Sequence, residues 1–201
     1  MKHKNRLIVT LLCLLAHAVV ANDPYKIIIE PRWQDLDAYH GAAKLSMLDD
    51  SKWILIGSIT FEKRPKEPVT MHRLHLKWVG AKKLKQLTAS LYRKQPDKDF
   101  YPFESNLVCD GVWCANKQTV IFTFNEEKTL GPSTTFYFVV TIAPDQEDIL
   151  KKGRFHLLKH ALPESFQSMS NDENLCLSLD AINSVTTVVE NKNPPTQSNK
   201  H

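Results

Sequence analysis

Apolar residues recur at every second position in one segment of this chain after another, and a period of two is the signature of half-buried β-strands. Trp53, Leu55, Gly57, Ile59 and Phe61 alternate with Ile54, Ile56, Ser58 and Thr60, and Leu74, Leu76 and Trp78 alternate with Arg73, His75 and Lys77. Leu87, Ala89 and Leu91 follow the same rule, as do Val120, Phe122 and Phe124, and then Phe136, Phe138, Val140 and Ile142. Weaker strand candidates are Ile27 to Ile29, Phe155 with Leu157, Leu175 to Leu179, and Val185 to Val189. Helix signals are few. Trp33, Leu36, His40, Ala43 and Met47 fall at spacings of three and four, and Asp145 to Lys152 begins with acids and ends with lysines before Gly153. Many strands, turn-rich connections such as Pro96 to Asp99 and Asn125 to Pro132, and no helical crossovers predict an all-β fold. The expected form is an antiparallel two-sheet β-sandwich, immunoglobulin-like or jelly-roll-like, with one or two short helices.

The two ends of the chain stand apart from this pattern. Lys2, Lys4 and Arg6 precede an apolar run from Leu7 to Leu15, with Val19 and Ala21 at the small-residue positions before a cleavage. Residues 1–21 are therefore expected to be a cleaved secretory signal peptide, too short in its apolar stretch for a membrane span. No transmembrane segment remains after cleavage, and the protein is expected to be secreted or periplasmic. Residues 22–189 read as one β-sandwich domain and 190–201, polar apart from two prolines, as a disordered tail.

Loss of the signal also removes most of the net charge. The full chain carries 26 Lys+Arg against 22 Asp+Glu. Without Lys2, Lys4 and Arg6 the excess falls to a single positive charge, which removes the electrostatic case for nucleic acid. The remaining charge is uneven. Between Glu62 and Lys98 there are 11 basic residues and three acidic ones. Arg73, Lys77, Lys82, Lys83 and Lys85 are the core of that excess and the candidate contacts for an anionic partner. The alternative is a solvated face balanced internally by acids near Asp145 and Asp172.

Cysteine placement suggests a staple. Cys109 and Cys114 bracket Asp110 and Gly111, a pair that favours a tight turn, and in an oxidising compartment they are expected to form a disulfide. Trp113 would then stand rigid at a loop tip as an aromatic anchor for a protein or sugar. Cys176 is left over, on the strand face opposite Leu175, Leu177 and Leu179. No second pair of ligands accompanies Cys109 and Cys114, so no metal site is expected.

Catalytic signatures are missing: no G-x-S-x-G, no H-E-x-x-H, no phosphate-binding glycine loop and no calcium loop occur. His72 and His75 project to opposite faces of one strand. The expectation is a non-enzymatic binding or structural module without cofactors, docking on a protein partner or envelope component. The alternatives are a binder of anionic glycan or lipid headgroups through the basic segment 63–98, and a hydrolase with an unrecognised site.

Overall fold

In a computed structural model the described residues are 25–36, 51–63, 66–94, 100–167, 176–178 and 187–190. The proposed signal peptide, the segment His40 to Met47, the Pro96 to Asp99 connection and the tail after Glu190 lie outside them. The strands are β1 (Lys26–Asp35), β2 (Lys52–Glu62), β3 (Thr70–Gly80), β4 (Thr88–Arg93), β5 (Leu107–Cys114), β6 (Thr119–Thr129), β7 (Ser133–Ile142), β8 (Gly153–Leu157), β9 (Cys176–Ser178) and β10 (Thr187–Glu190). Two short helices, α1 (Glu147–Lys151) and α2 (Glu164–Gln167), join them.

The all-β, antiparallel expectation is met. Every ladder is antiparallel, and the ten strands form one continuous sheet in the order β10-β1-β2-β7-β4-β5-β6-β3-β8-β9. The sheet curls until β9 returns against β1, giving a nearly closed, barrel-like wall. Closure of this kind leaves few unpaired strand edges.

Alternation explains which side chains fill the interior. Leu74, Leu76 and Trp78 from β3, Ala89 and Leu91 from β4, Val120, Phe122 and Phe124 from β6, and Phe136, Phe138, Val140 and Ile142 from β7 are all buried in one cluster. Phe138 meets Phe155 edge to face, with ring centroids 4.9 Å apart, and Phe166 of α2 packs on Phe61 at 5.4 Å. Each fully buried side chain of this size contributes about 1.5–3 kcal/mol relative to exposure, so the interior supplies the main driving force.

β2 departs from the simple alternation. A bulge between Leu55 and Gly57 shifts its phase, so that Ile54, Ile56, Ile59 and Phe61 face the main core while Leu55 faces outward. Leu55 there joins Leu36, Tyr92, Phe100 and Val139 in a second, smaller cluster, against which Trp53 packs. Trp53 is therefore half-buried outside the wall, although it alternates in the sequence with the residues that flank it as Trp78 does, and Trp78 lies within the main core. An added residue on one strand moves all later side chains to the other face.

Three sequence expectations are corrected. Trp33 lies in β1, so the helix expected to begin there does not. Residues Asn125 to Thr129 continue β6 instead of forming a loop. The largest change concerns Cys109 and Cys114, which belong to one uninterrupted strand, β5. Five residues of strand separate their Cα atoms by about 16 Å. A disulfide needs about 4.4–6.8 Å, and an odd spacing sends the two side chains to opposite faces. Both thiols are free. Gly111 is required by packing, not by a turn: a Cβ there would stand 2.5 Å from Val120 Cγ1.

Gly57 is the position where backbone geometry is least replaceable. Its φ is +153°, and a Cβ would lie 2.4 Å from the Glu30 carbonyl oxygen and 2.7 Å from Leu177 Cδ2. Gly57→Ala is expected to cost about 1–3 kcal/mol, the usual range for a backbone forced into a sparsely populated region. Gly131→Ala, whose nearest neighbour would be Thr134 Oγ1 at 3.6 Å, is expected to be nearly neutral. Urea unfolding of the two variants checks the contrast, and equal midpoints would remove the bulge from this account.

Candidate functional site

The outward positions of β3 carry the basic residues that its inward positions exclude. Arg73, His75 and Lys77 alternate with buried Leu74, Leu76 and Trp78, as strand parity requires. After Gly80 the chain leaves the sheet and runs through Ala81, Lys82 and Lys83 to Leu84, which turns back into the core. The lysines of this connection are exposed, yet their backbone is held in several places.

Trp78 supplies the first anchor. Its ring crosses Gly153, where a Cβ would stand 2.1 Å from Cη2, and its Nε1 donates to the Lys82 carbonyl at 3.0 Å. Gln118 supplies the second. Leu84 N–H donates to Gln118 Oε1 at 2.8 Å, while Gln118 Nε2 donates to the carbonyls of Leu84 (3.0 Å) and Ala115 (2.7 Å). The residue is only 8% exposed and adopts a positive φ of 52° at the start of β6. One buried amide thus ties the β3–β4 connection to the β5–β6 turn. A second buried amide, Gln146, accepts from Lys85 N–H at 2.8 Å. A buried amide that satisfies backbone groups on two segments fixes their separation, because either segment would leave unpaired polar groups if it moved.

The consequence is a groove of about 670 Å³ at one end of the barrel. Lys77 of β3, Lys82 and Lys83 of the β3–β4 connection, and Lys117 of the β5–β6 turn line it, with Asn116 and Thr119 between them. Among the described residues none of these four ammonium groups is in an ion pair or hydrogen bond. The acids expected to balance the segment do so only in part. Glu147 is committed to Lys52 (2.5 Å) and Lys151 (2.6 Å), whose hydrogen bonds hold its carboxyl below the usual range. Asp148 shares a separate cleft of about 220 Å³ with Lys82 and Lys152. Asp172 lies outside the described residues.

Of the residues singled out in the sequence, the fold brings Lys77, Lys82 and Lys83 together. Arg73 is on the same outer face but farther along β3, and Lys85 is exposed beside Gln146 without lining the groove. Lys117 was not anticipated, since it comes from a turn 34 residues beyond Lys83. Trp113 is a correction: it lies in β5, not at a loop tip, and packs half-buried against the main core. Its inward strand position removes it as an exposed anchor. Val112, its outward neighbour, is 71% exposed.

The outer face continues from Lys77 toward β8. His156 stands opposite Lys77 in the ladder, and Arg154 is two residues away on the same side. His160, from the turn after β8, meets His75 edge to face with centroids 5.6 Å apart. Burial, then the neighbouring His160 and Arg73, hold the His75 imidazole below its ordinary range. Among the described residues no cluster of three or more His, Cys, Asp or Glu is placed to hold a metal ion.

Two outcomes follow from this geometry. Gln118→Asn keeps a residue that tolerates positive φ but is too short to reach Leu84, and is expected to lower stability by about 2 kcal/mol in chemical unfolding. Maleimide labelling of the native protein should modify Cys114 well before Cys109, whose thiol is pushed up to about 12, chiefly by burial and secondarily by Asp110. A peptide map joining Cys109 to Cys114 in one folded monomer would contradict the single-strand assignment.

Comparison with protein-family models gives no match, and neither the curated proteins nor the solved structures give a match to this chain.

Proposed function

We propose that the protein is an exported, non-enzymatic binding module whose working surface is the lysine groove and whose partner is an anionic glycan chain. The observation that carries this reading is the convergence of Lys77, Lys82, Lys83 and Lys117, from three separate segments, on one recess, where none of the four is ion-paired among the described residues. Exposed cations attract anions over a distance set by salt, about 8 Å at physiological ionic strength. A glycan suits the recess better than a planar lipid surface. The cations line a concavity with the Asn116 amide, which matches sugar hydroxyls, and with apolar surface from Val79 and Leu158 that suits a sugar ring face. The reading of Trp113 as a protein anchor has no support once its ring packs against the core.

The scaffold fits such a role. We infer that the curled sheet works as a flattened, sandwich-like body, because β7 and β8, far apart in strand order, bring Phe138 and Phe155 into ring contact across the interior. The compartment rests on the charged and apolar pattern of residues 2–21.

Binding to heparin, a sulfated polysaccharide, is expected to weaken steeply between low and physiological salt, and neutral dextran should not bind. Lys82→Ala with Lys83→Ala should reduce heparin affinity about 2–30-fold, from about 0.2–1 kcal/mol per exposed charge contact. Lys94→Ala is the control, since Lys94 lines a different groove with Arg93, Thr134 and Thr135. Binding that ignores salt, or that falls equally in both sets of variants, would defeat the groove assignment. Preference for anionic vesicles over heparin would instead assign the groove to a lipid surface.

A further inference from the structure

We propose that the glycan site runs on from the lysine groove, past Lys82, into the cleft beside α1, where Asp148 accepts hydrogen bonds from the hydroxyls of an unsulfated sugar ring. The ligand is then a carboxylated, hydroxyl-rich polysaccharide and not a densely sulfated one. This rests on the groove reading above and names the class of glycan that the same site selects. Lys82 belongs to both recesses. It lines the groove of about 670 Å³ with Lys77, Lys83 and Lys117, and the cleft of about 220 Å³ with Ala81, Asp148, Ile149 and Lys152. Pockets for drug-sized ligands measure about 300–1,000 Å³. The groove falls in that range and the cleft below it, which suits a length of chain in the first and a single ring in the second.

Both walls of the cleft are fixed by the fold. The β3–β4 connection forms one wall, and α1 with the residue after it forms the other. At one end the Trp78 ring joins them: its Nε1 donates to the Lys82 carbonyl at 3.0 Å, and the ring crosses Gly153, next to Lys152. At the other end Gln146, the residue before α1, accepts from Lys85 N–H at 2.8 Å. Between these ties Ile149 packs against the main core and Leu150 is buried in it. The width of the cleft is set in advance, so little ordering cost falls on binding.

The two recesses differ in chemistry. The groove presents four ammonium groups, whereas the cleft presents those of Lys82 and Lys152 and sets a carboxylate among them. α1 carries two carboxylates in different situations. Glu147 is bound by Lys52 and Lys151, while Asp148 is exposed and makes no ion pair or hydrogen bond among the described residues. An ionised carboxylate only accepts, so its partners on a sugar are the hydroxyls, which donate. A sulfate ester at that place removes the donor and sets like charge against Asp148. A site that pairs with a hydroxyl rejects the analogue lacking it far more strongly than an apolar pocket rejects a change of size. Ala81 and Ile149 add apolar surface that suits the C–H face of the ring. Carboxylates on neighbouring rings still meet the groove lysines, so anionic character is kept while sulfation is disfavoured.

The test compares binding of the purified protein, at physiological salt, to hyaluronan oligosaccharides, which carry carboxylates but no sulfate, and to heparin. Asp148→Ala is expected to weaken hyaluronan binding about 3–10-fold, through lost hydrogen bonds. The same variant should strengthen heparin binding about 2–5-fold, through relief of a like-charge contact. Asp148→Asn keeps an acceptor without the charge, and should recover part of the hyaluronan loss while favouring heparin as much. Lys152→Ala, which alters the cleft alone, should weaken both ligands about 2–5-fold. Asp145→Ala is the control, since Asp145 is exposed just before α1 but lines neither recess, and it should change the ratio of the two affinities less than twofold. A change of the same sign for both ligands in Asp148→Ala, or unchanged affinities in Lys152→Ala, would overturn the proposal. Binding of heparin with none of hyaluronan would also overturn it and leave the groove reading intact. If Lys83→Ala, which alters the groove alone, changes neither affinity while Asp148→Ala acts as stated, the groove reading fails and the cleft stands by itself. No binding of either ligand would overturn both.

Discussion

The barrel interior sets the terms for everything else in this protein. A sheet that curls nearly closed has a narrow inside, and the inward position of each long strand is taken by an aliphatic or aromatic side chain. Burying a polar group there without a partner costs on the order of 1–3 kcal/mol, so charge is confined to the outer face and the ends. β3 shows the separation within one strand, where Leu74, Leu76 and Trp78 point inward and Arg73, His75 and Lys77 point out. A rigid wall of this sort presents cations in a fixed spatial order, and little conformational entropy is lost when the strand-borne ones meet a ligand.

The ends of the barrel are less constrained by alternation, and there two buried glutamines do the organising. Gln118 and Gln146 are among the few buried polar residues, and both amides are used on backbone groups of the segment carrying Lys83 and Lys85. That arrangement lets a connection rich in lysines keep one shape. Without it, mutual repulsion and side-chain freedom would spread the ammonium groups apart.

Much of the wall was legible in the sequence because alternation is a local signal. β2, β3, β4, β6 and β7 follow from it almost residue for residue, and so does the shared outer face of Arg73, His75 and Lys77. Its failures have physical reasons. The bulge at Gly57 inverts the phase within β2, and nothing in the run Ile54, Leu55, Ile56 distinguishes one face from the other because all three are apolar and both faces are covered. β5 was misread because Asp110 and Gly111 resemble a turn when taken alone. In the fold that glycine leaves room for Val120 and Phe122, and the aspartate accepts from Ser90 across the ladder. Three of the groove lysines were visible as a charge run, whereas Lys117 and the two glutamines join it only through long-range contacts that no local pattern encodes.

Gathering four ammonium groups at one end, none of them ion-paired among the described residues, is tolerable because water screens them. At a separation of about 4 Å two unit charges interact by about 1 kcal/mol in water and by about 4 kcal/mol where the effective dielectric constant is near 20. The groove is open, so its lysines lie toward the first limit. His75 lies nearer the second, half-buried between a guanidinium and another imidazole. The same positive field thus acts differently at two places on one continuous surface. At His75 burial is the larger cause that holds back protonation, and the charges of His160 and Arg73 add to it.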